Sequence, residues 1–248
     1  LQRKQAALYD TQFALELSQK IIQAKLQNQL VVLRRYARSR NVEIKDIEIM
    51  LANCISKTQY IHGIEGLMGY EGTGAKYYFD GLSRCIEEDF VFKGRSKRPP
   101  LDAFNSMLSL GYSVLMNEVY GAIETKGLNP YFGFMHHDAE KHPTLASDMM
   151  EEWRAVLIDS TVMSMINGHE ISHSEFYNEI DRPGVFMTKE SLRKYLSKLE
   201  KKFQTESRYL GYVDYAVSFR RGIALQMKQL VNAIEAEDAS IYTPIRIR

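Results

Sequence analysis

Between Gln5 and Arg38 the chain has neither proline nor glycine, and Phe13, Leu17, Ile21 and Ala24 recur at helical spacing, with Leu30 and Leu33 continuing the apolar face. This pattern predicts one long amphipathic helix, already helical within its first few residues. Asn41 breaks it, and Ile44 to Ile55 reads as a second helix with Ile47, Leu51 and Cys54 on its apolar side. Five glycines follow between Gly63 and Gly74, but no Gly-Lys-Ser/Thr comes after them and no β-rich segment precedes them, which argues against a phosphate-cradling loop. Glycines at this spacing point instead to close helix-to-helix approach.

Asp102 is a natural N-cap for a helix through Leu108, Leu115 and Val119 to about Lys126. Another helix starts after Pro143, and the apolar run Ala155 to Ile166 stops at the helix-ending pair Asn167-Gly168. Residues Ile171 to Phe186 read as irregular or as a short hairpin around Arg182-Pro183-Gly184. Thr188 with Ser191 opens a helix through Leu192, Leu196 and Leu199, Tyr215 to Ala236 forms the last helix, and Ile241 to Arg248 is extended. The fold class is mainly α, read as one domain over residues 1–248.

Composition narrows the function. Apolar content of 45% and charged content of 25% are those of an ordinary globular protein, and the formal net charge of +1 announces no global affinity for nucleic acid. Any such surface must come from local segregation of charge. Arg34, Arg35 and Arg38 with Arg40 at the end of the first helix could grip phosphates or simply complement the helix C-terminal dipole, Lys93, Arg95, Lys97 and Arg98 form a basic loop before Pro99-Pro100, and the last helix bears Arg220-Arg221. Two cysteines without a C-x-x-C fit a reducing compartment and argue against a thiolate-held zinc. No apolar run reaches the roughly eighteen residues of a membrane span, and no signal sequence opens the chain, so a cytoplasmic location is expected.

The candidate chemistry centres on residues Asn129 to Arg154. A loop bounded by Pro130 and Gly133 presents His136, and Asp148 and Glu151 lie three residues apart on one face of the following helix. An imidazole and two carboxylates suit a hard divalent cation such as Mg²⁺ or Mn²⁺, with Glu65 or Glu71 as a third carboxylate between which spacing does not choose. The plainer alternative is that the acids are solvated surface charge on a metal-free helical DNA-binding or scaffolding module. His169-Glu170-Ile171-Ser172-His173 matches the H-E-x-x-H pattern of zinc peptidases, but it begins where Asn167-Gly168 should end a helix. His137-Asp138 matches the dipeptide of metal-dependent phosphohydrolases, again on a loop rather than within a helix.

Several blocks together resemble the catalytic domain of the CRISPR adaptation integrase, the "Cas-one" endonuclease family. They are Glu71-Gly72-x-x-Ala75-Lys76-x-Tyr78-Phe79, Arg98-Pro99-Pro100 with Asn105 and Leu108 to Tyr112, Leu128-Asn129-Pro130-Tyr131 with Gly133 to His136, and Leu145 to Arg154, closing with Tyr242-x-Pro244. Ser147, Trp153 and Asn129 depart from the commoner residues, and no presumed ligand is lost. The resemblance selects Glu71 over Glu65 and implies that Glu71, His136 and Glu151 hold Mn²⁺ or Mg²⁺, with Asp148 assisting. It implies a nuclease and integrase that joins captured DNA fragments to a CRISPR array, with the basic residues at Arg34 to Arg40, Lys93 to Arg98 and Arg220-Arg221 on the DNA backbone. It also implies a homodimer, a second adaptation protein ("Cas-two") as partner, in some relatives an upstream reverse transcriptase, and a family N-terminal β-rich domain that lies outside this chain.

Overall fold

The computed structural model describes residues 1–136 and 141–247, so the His137-Asp138 pair lies outside the described residues. The first predicted helix divides into α1 (Gln2–Ala7) and α2 (Gln12–Arg40), with Asp10 at φ 54° in the break. At about 1.5 Å per residue α2 is about 43 Å long, and it is the axis on which α3 (Lys45–Thr58), α4 (Ile64–Arg84) and α6 (Thr144–Trp153) pack. The glycine-rich stretch is helical from Ile64 onward, with Gly63 as its extended N-cap. A Cβ on Gly74 would lie 2.5 Å from a Leu26 methyl, and one on Gly81 would lie 2.6 Å from a Leu33 methyl. At these two positions a side chain would force the leucine methyls of α2 to move, so glycine favours the close approach of α4 to α2. Glu71 lies three residues before Gly74 on the same stripe, so this approach carries its carboxylate onto α2.

Asp102 caps α5 (Ala103–Thr125) by accepting from the Asn105 amide at 2.7 Å, as its position predicts. Helix α6 runs into a π-helical turn, Arg154–Asp159, and then α7 (Ser160–Asn167), which ends at Gly168. The short hairpin is present as β1 (Phe176–Asn178) paired antiparallel with β2 (Val185–Met187). Helix α8 (Lys189–Gln204) starts at Thr188. The last helix starts later than the periodicity suggests: α9 is Phe219–Ala236, capped by Ser218, because residues 217–218 form β4 against β3 (Glu206–Ser207). Ile241 ends a 3₁₀ turn, Ala239–Ile241, rather than opening the extended tail; residues 242–247 carry no helix or strand, and Tyr242, Ile245 and Ile247 are buried. One apolar core spans the helices. Among the described residues no helix is long and apolar enough to cross a membrane.

The tail is tied in by buried polar bonds. Glu152 accepts from the Tyr242 hydroxyl at 2.6 Å and from the Ile245 amide at 2.7 Å, while Gln226 links Tyr242 to the Trp153 indole. These bonds fix α6 from behind, so Glu151 on its other side is set by the core rather than by solvent.

Asp159 closes the π turn, fully buried, accepting from the hydroxyls of Tyr112 at 2.6 Å and Tyr78 at 3.0 Å. Burial raises its carboxyl to about 6, against the pull of those hydroxyls and of Arg95 and Arg154. Because the folded value lies above the unfolded one, the stability tied to this proton is complete below about pH 4 and is lost as pH rises through about 6. Asp159→Asn removes the titration. Urea denaturation is expected to show the variant gaining up to about 3 kcal/mol relative to the parent between pH 4 and pH 8.

Candidate functional site

Helices α2, α4, α5 and α6, the 94–97 loop and the His136 loop enclose a cavity of about 420 Å³. Its lining includes Glu71, His136 and Glu151, together with Lys25, Lys76, Arg95, Lys97 and Arg154. Three residues far apart in sequence thus meet in one pocket. The solvated-charge alternative does not describe them: Glu151 is 5% exposed and Asp148 is fully buried.

The centre of the pocket is a cation from the chain itself. The Lys25 ammonium, almost wholly buried, ion-pairs with Glu71 and lies 2.5 Å from Glu151 Oε2. Arg154 reaches Glu151 Oε1 at 3.1 Å from one turn further along. Burial alone would raise the Glu151 carboxyl, but the charges of Arg154, Lys25 and His136 bring it down to about 2. Burial would likewise lower the Lys25 ammonium, and the two carboxylates more than reverse this. Glu151 Oε2 nevertheless has no partner in hydrogen-bond geometry. It is a buried anionic oxygen compensated by the Lys25 ammonium 2.5 Å away.

Asp148 has a different task from the one its spacing suggests. Its carboxylate accepts from the amides of Phe134 at 2.6 Å, Met135 at 3.1 Å and His136 at 3.1 Å, and Oδ1 lies 2.6 Å from His136 Nδ1. A Cβ on Gly133 would meet Asp148 Oδ2 and the Thr144 carbonyl carbon, each at 2.9 Å, so only glycine fits where the loop passes α6. Burial lowers the His136 imidazolium, but the bond to Asp148 and its charge outweigh this and leave it raised. Asp148 therefore faces the loop and fixes the ring, leaving Nε2 as the nitrogen not held by it. Asp148→Asn turns an N–H donor toward amides that need an acceptor. Denaturation is expected to show a loss of about 2 to 3 kcal/mol.

Among the described residues no three His, Cys, Asp or Glu side chains are close enough to form a ready metal cluster. The donor chemistry still fits a hard cation: two carboxylates share one positive charge, one of their buried oxygens lacks a hydrogen bond, and a carboxylate orients the nearby imidazole. Lys25 supplies the positive charge between the two carboxylates.

The basic candidates fall into separate groups. Arg95 lines the pocket but is committed, donating to Asn105 Oδ1 at 2.5 Å and the Ser96 carbonyl at 2.6 Å and stacking over Tyr112. Lys93 and Arg98 are exposed on the same loop. Arg34 pairs with Glu48 at 2.7 Å and lines, with Arg38 and Glu43, a shallow depression away from the pocket, while Arg35 faces α8. Arg220 is not available for phosphate as expected: Glu118 and Glu200 clamp its guanidinium at 2.8 Å. Arg221 is exposed.

The zinc peptidase alternative is excluded. His169 sits at φ 53° just past the end of α7, His173 opens a separate 3₁₀ turn, and Glu170 is held by Lys198 at 2.7 Å. The two histidines do not share the helical face that the mechanism needs.

Sequence reasoning missed Lys25 and Arg154. Lys25, Asn28 and Gln29 interrupt the buried stripe of α2 between Ile21 and Val32, and that interruption is the signal that points to Lys25.

Fold and pocket together define a helical protein with a buried acid and histidine site on a basic rim. Residues 1–201 match the family model described as CRISPR associated protein Cas1. The chain belongs to the Cas1 family. It is 37% identical to the CRISPR-associated endonuclease Cas1 of Mycobacterium tuberculosis over 96% of its own length and 70% of that protein's. It is 40% identical to the protein of the same name from Leptospira interrogans over 75% of each. Its fold matches a chain of a Cas6-RT-Cas1–Cas2 complex with a TM-score of 0.86 at 25% identity, covering 96% of this chain and 25% of that one.

Proposed function

We propose that this chain is the catalytic part of a divalent-metal-dependent DNA endonuclease and integrase of CRISPR adaptation. The observation that carries this reading is the meeting of Glu71 and Glu151, from α4 and α6, on one buried positive charge beside a carboxylate-oriented imidazole. Glu71, Glu151 and His136 would hold Mn²⁺ or Mg²⁺, and the bound ion would supply charge neutralisation at the scissile phosphate and activation of the attacking oxygen.

The chain's own residues provide the rest. Asp148 holds the His136 ring and the 134–136 backbone, so the imidazole is positioned before substrate arrives. Lys76, Lys97 and Arg154 make the pocket attractive to phosphate, and burial together with the charges of Arg154 and Arg95 keeps the Lys97 ammonium below its usual range. The attacking oxygen is the 3′-hydroxyl of a captured DNA fragment. It forms a new phosphorus–oxygen bond at the repeat boundary as the original one breaks, and with water in its place the same exchange nicks DNA.

The relatives' names support the nuclease reading, and the complex matched by fold supports a Cas2-type partner and, upstream, a reverse transcriptase. A homodimer completes the proposed assembly. The test is nicking and strand transfer on a DNA carrying a CRISPR repeat, run in Mn²⁺, Mg²⁺ and EDTA. Activity only with metal supports the proposal. DNA binding without any metal-dependent cleavage or joining would favour a scaffold module.

A further inference from the structure

A second cavity, of about 580 Å³, opens between the C-terminal parts of α2 and α8 and the start of α7. Arg35 and Tyr36 come from α2, Ser164 from α7, and Lys198, Lys201 and Lys202 from α8. On α2, Arg35 lies ten residues beyond Lys25, about 15 Å along the axis. This is a different site from the acid and histidine pocket, and no carboxylate is among its described lining residues.

Its charges are unevenly compensated. Lys198 is answered by Glu170, at 2.7 and 2.9 Å. Lys201 has no hydrogen-bond or ion-pair partner for its ammonium among the described residues. Among the described residues the Lys202 ammonium has only the Phe219 ring, 5.2 Å from its nitrogen. Burial, and then the charge of Arg35, push the Lys202 ammonium below its usual range. Lys201 and Lys202 suit the C-terminal dipole of α8. That accounts for neither Arg35 nor the collection of four cations around one cavity. The floor supplied by Val32 and Tyr36 is partly apolar, and the Tyr36 hydroxyl is turned inward to the Ser160 carbonyl at 2.6 Å, so the open side presents the cations.

We infer that this cavity is a second phosphate site, which grips the backbone of a DNA strand outside the catalytic pocket. The choice of DNA over another phosphate-bearing ligand rests on the function proposed above. The lack of a carboxylate partner for Lys201 and Lys202 among the described residues rests on the structure alone. Because Lys201 and Lys202 have no competing anion among the described residues, a phosphate at this position breaks no ion pair of theirs, and each contact releases counterions from the DNA.

The test is the salt dependence of duplex binding by the full chain in EDTA, comparing the parent, K201Q, K201Q/K202Q and a control, K228Q, on the exposed face of α9. Each phosphate contact adds about 0.9 to the slope of log affinity against log salt. Between 50 and 200 mM salt the parent is expected to lose about tenfold more affinity than the double variant, and K201Q to fall between. K201Q replaces an exposed side chain, which keeps the test valid if the double variant does not fold. Slopes equal to those of the parent and K228Q would overturn the inference. Tripolyphosphate binding that the substitutions abolish, with the DNA slope unchanged, would assign the cavity to a free polyphosphate and overturn the DNA assignment. Binding in EDTA is independent of cleavage. A chain that shows the expected slopes but never nicks DNA refutes the nuclease reading and leaves this site standing.

Discussion

Lys25→Met is expected to lower the stability of the metal-free chain by about 3 to 5 kcal/mol, because it strips the common counter-charge from two carboxylates held inside the protein. The methionine keeps most of the side-chain volume, so the loss reports charge rather than a cavity. Glu151 keeps Arg154 at 3.1 Å, but Glu71 has only Lys25 as its ion-pair partner among the described residues. Mn²⁺ should then do for the variant what the ammonium does for the parent. A ligand that binds only the folded state adds stability in proportion to the logarithm of its concentration over its dissociation constant. Saturating Mn²⁺ is expected to raise the melting temperature of Lys25→Met more than that of the parent, since the ion meets no resident competitor. Calorimetry with and without Mn²⁺ reads both effects. Equal stability of the two metal-free proteins would show that Lys25 does not hold the site together.

Glu151→Gln is expected to reduce Mn²⁺-dependent nicking and strand transfer by about 10³-fold or more, the scale on which losing an electrostatic stabiliser of a transition state is felt. The amide keeps the shape of the side chain and one oxygen, so the variant tests charge. It also leaves Lys25 and Arg154 with one carboxylate fewer, and stability and DNA affinity are measured beside activity. The expected pattern is retained DNA binding with lost chemistry. Retained chemistry would remove Glu151 from the site.

Much of the fold was legible because local signals agreed with the final packing. Asp102 and Thr188 cap the helices they announce, Asn167-Gly168 ends α7, and the hairpin at Arg182-Pro183-Gly184 is where the turn residues place it. The failures have tertiary causes. The break at Asp10 carries no glycine or proline, and the start of α9 is delayed by the pairing of residues 206–207 with 217–218. At the site, the contribution of Glu71 was legible only through a recurring motif. Spacing on one helix correctly paired Asp148 with Glu151 on α6 but not in role, because it cannot say that one carboxylate faces the loop amides and the other faces Lys25. Lys25 itself reads as an ordinary solvated lysine until the depth of α2 is known. The arginine run at the end of α2 was visible, but which members are neutralised by Glu48 or turned toward α8 depends on neighbours distant in sequence.

The most direct measurement is anomalous diffraction from crystals of the chain soaked in Mn²⁺. The account predicts one strong peak in the α4–α6 pocket, ligated by Glu71, Glu151 and Nε2 of His136, with the Lys25 ammonium moved off the two carboxylates. A saturated soak in which Lys25 still joins Glu71 to Glu151, and manganese binds elsewhere or nowhere, would contradict it.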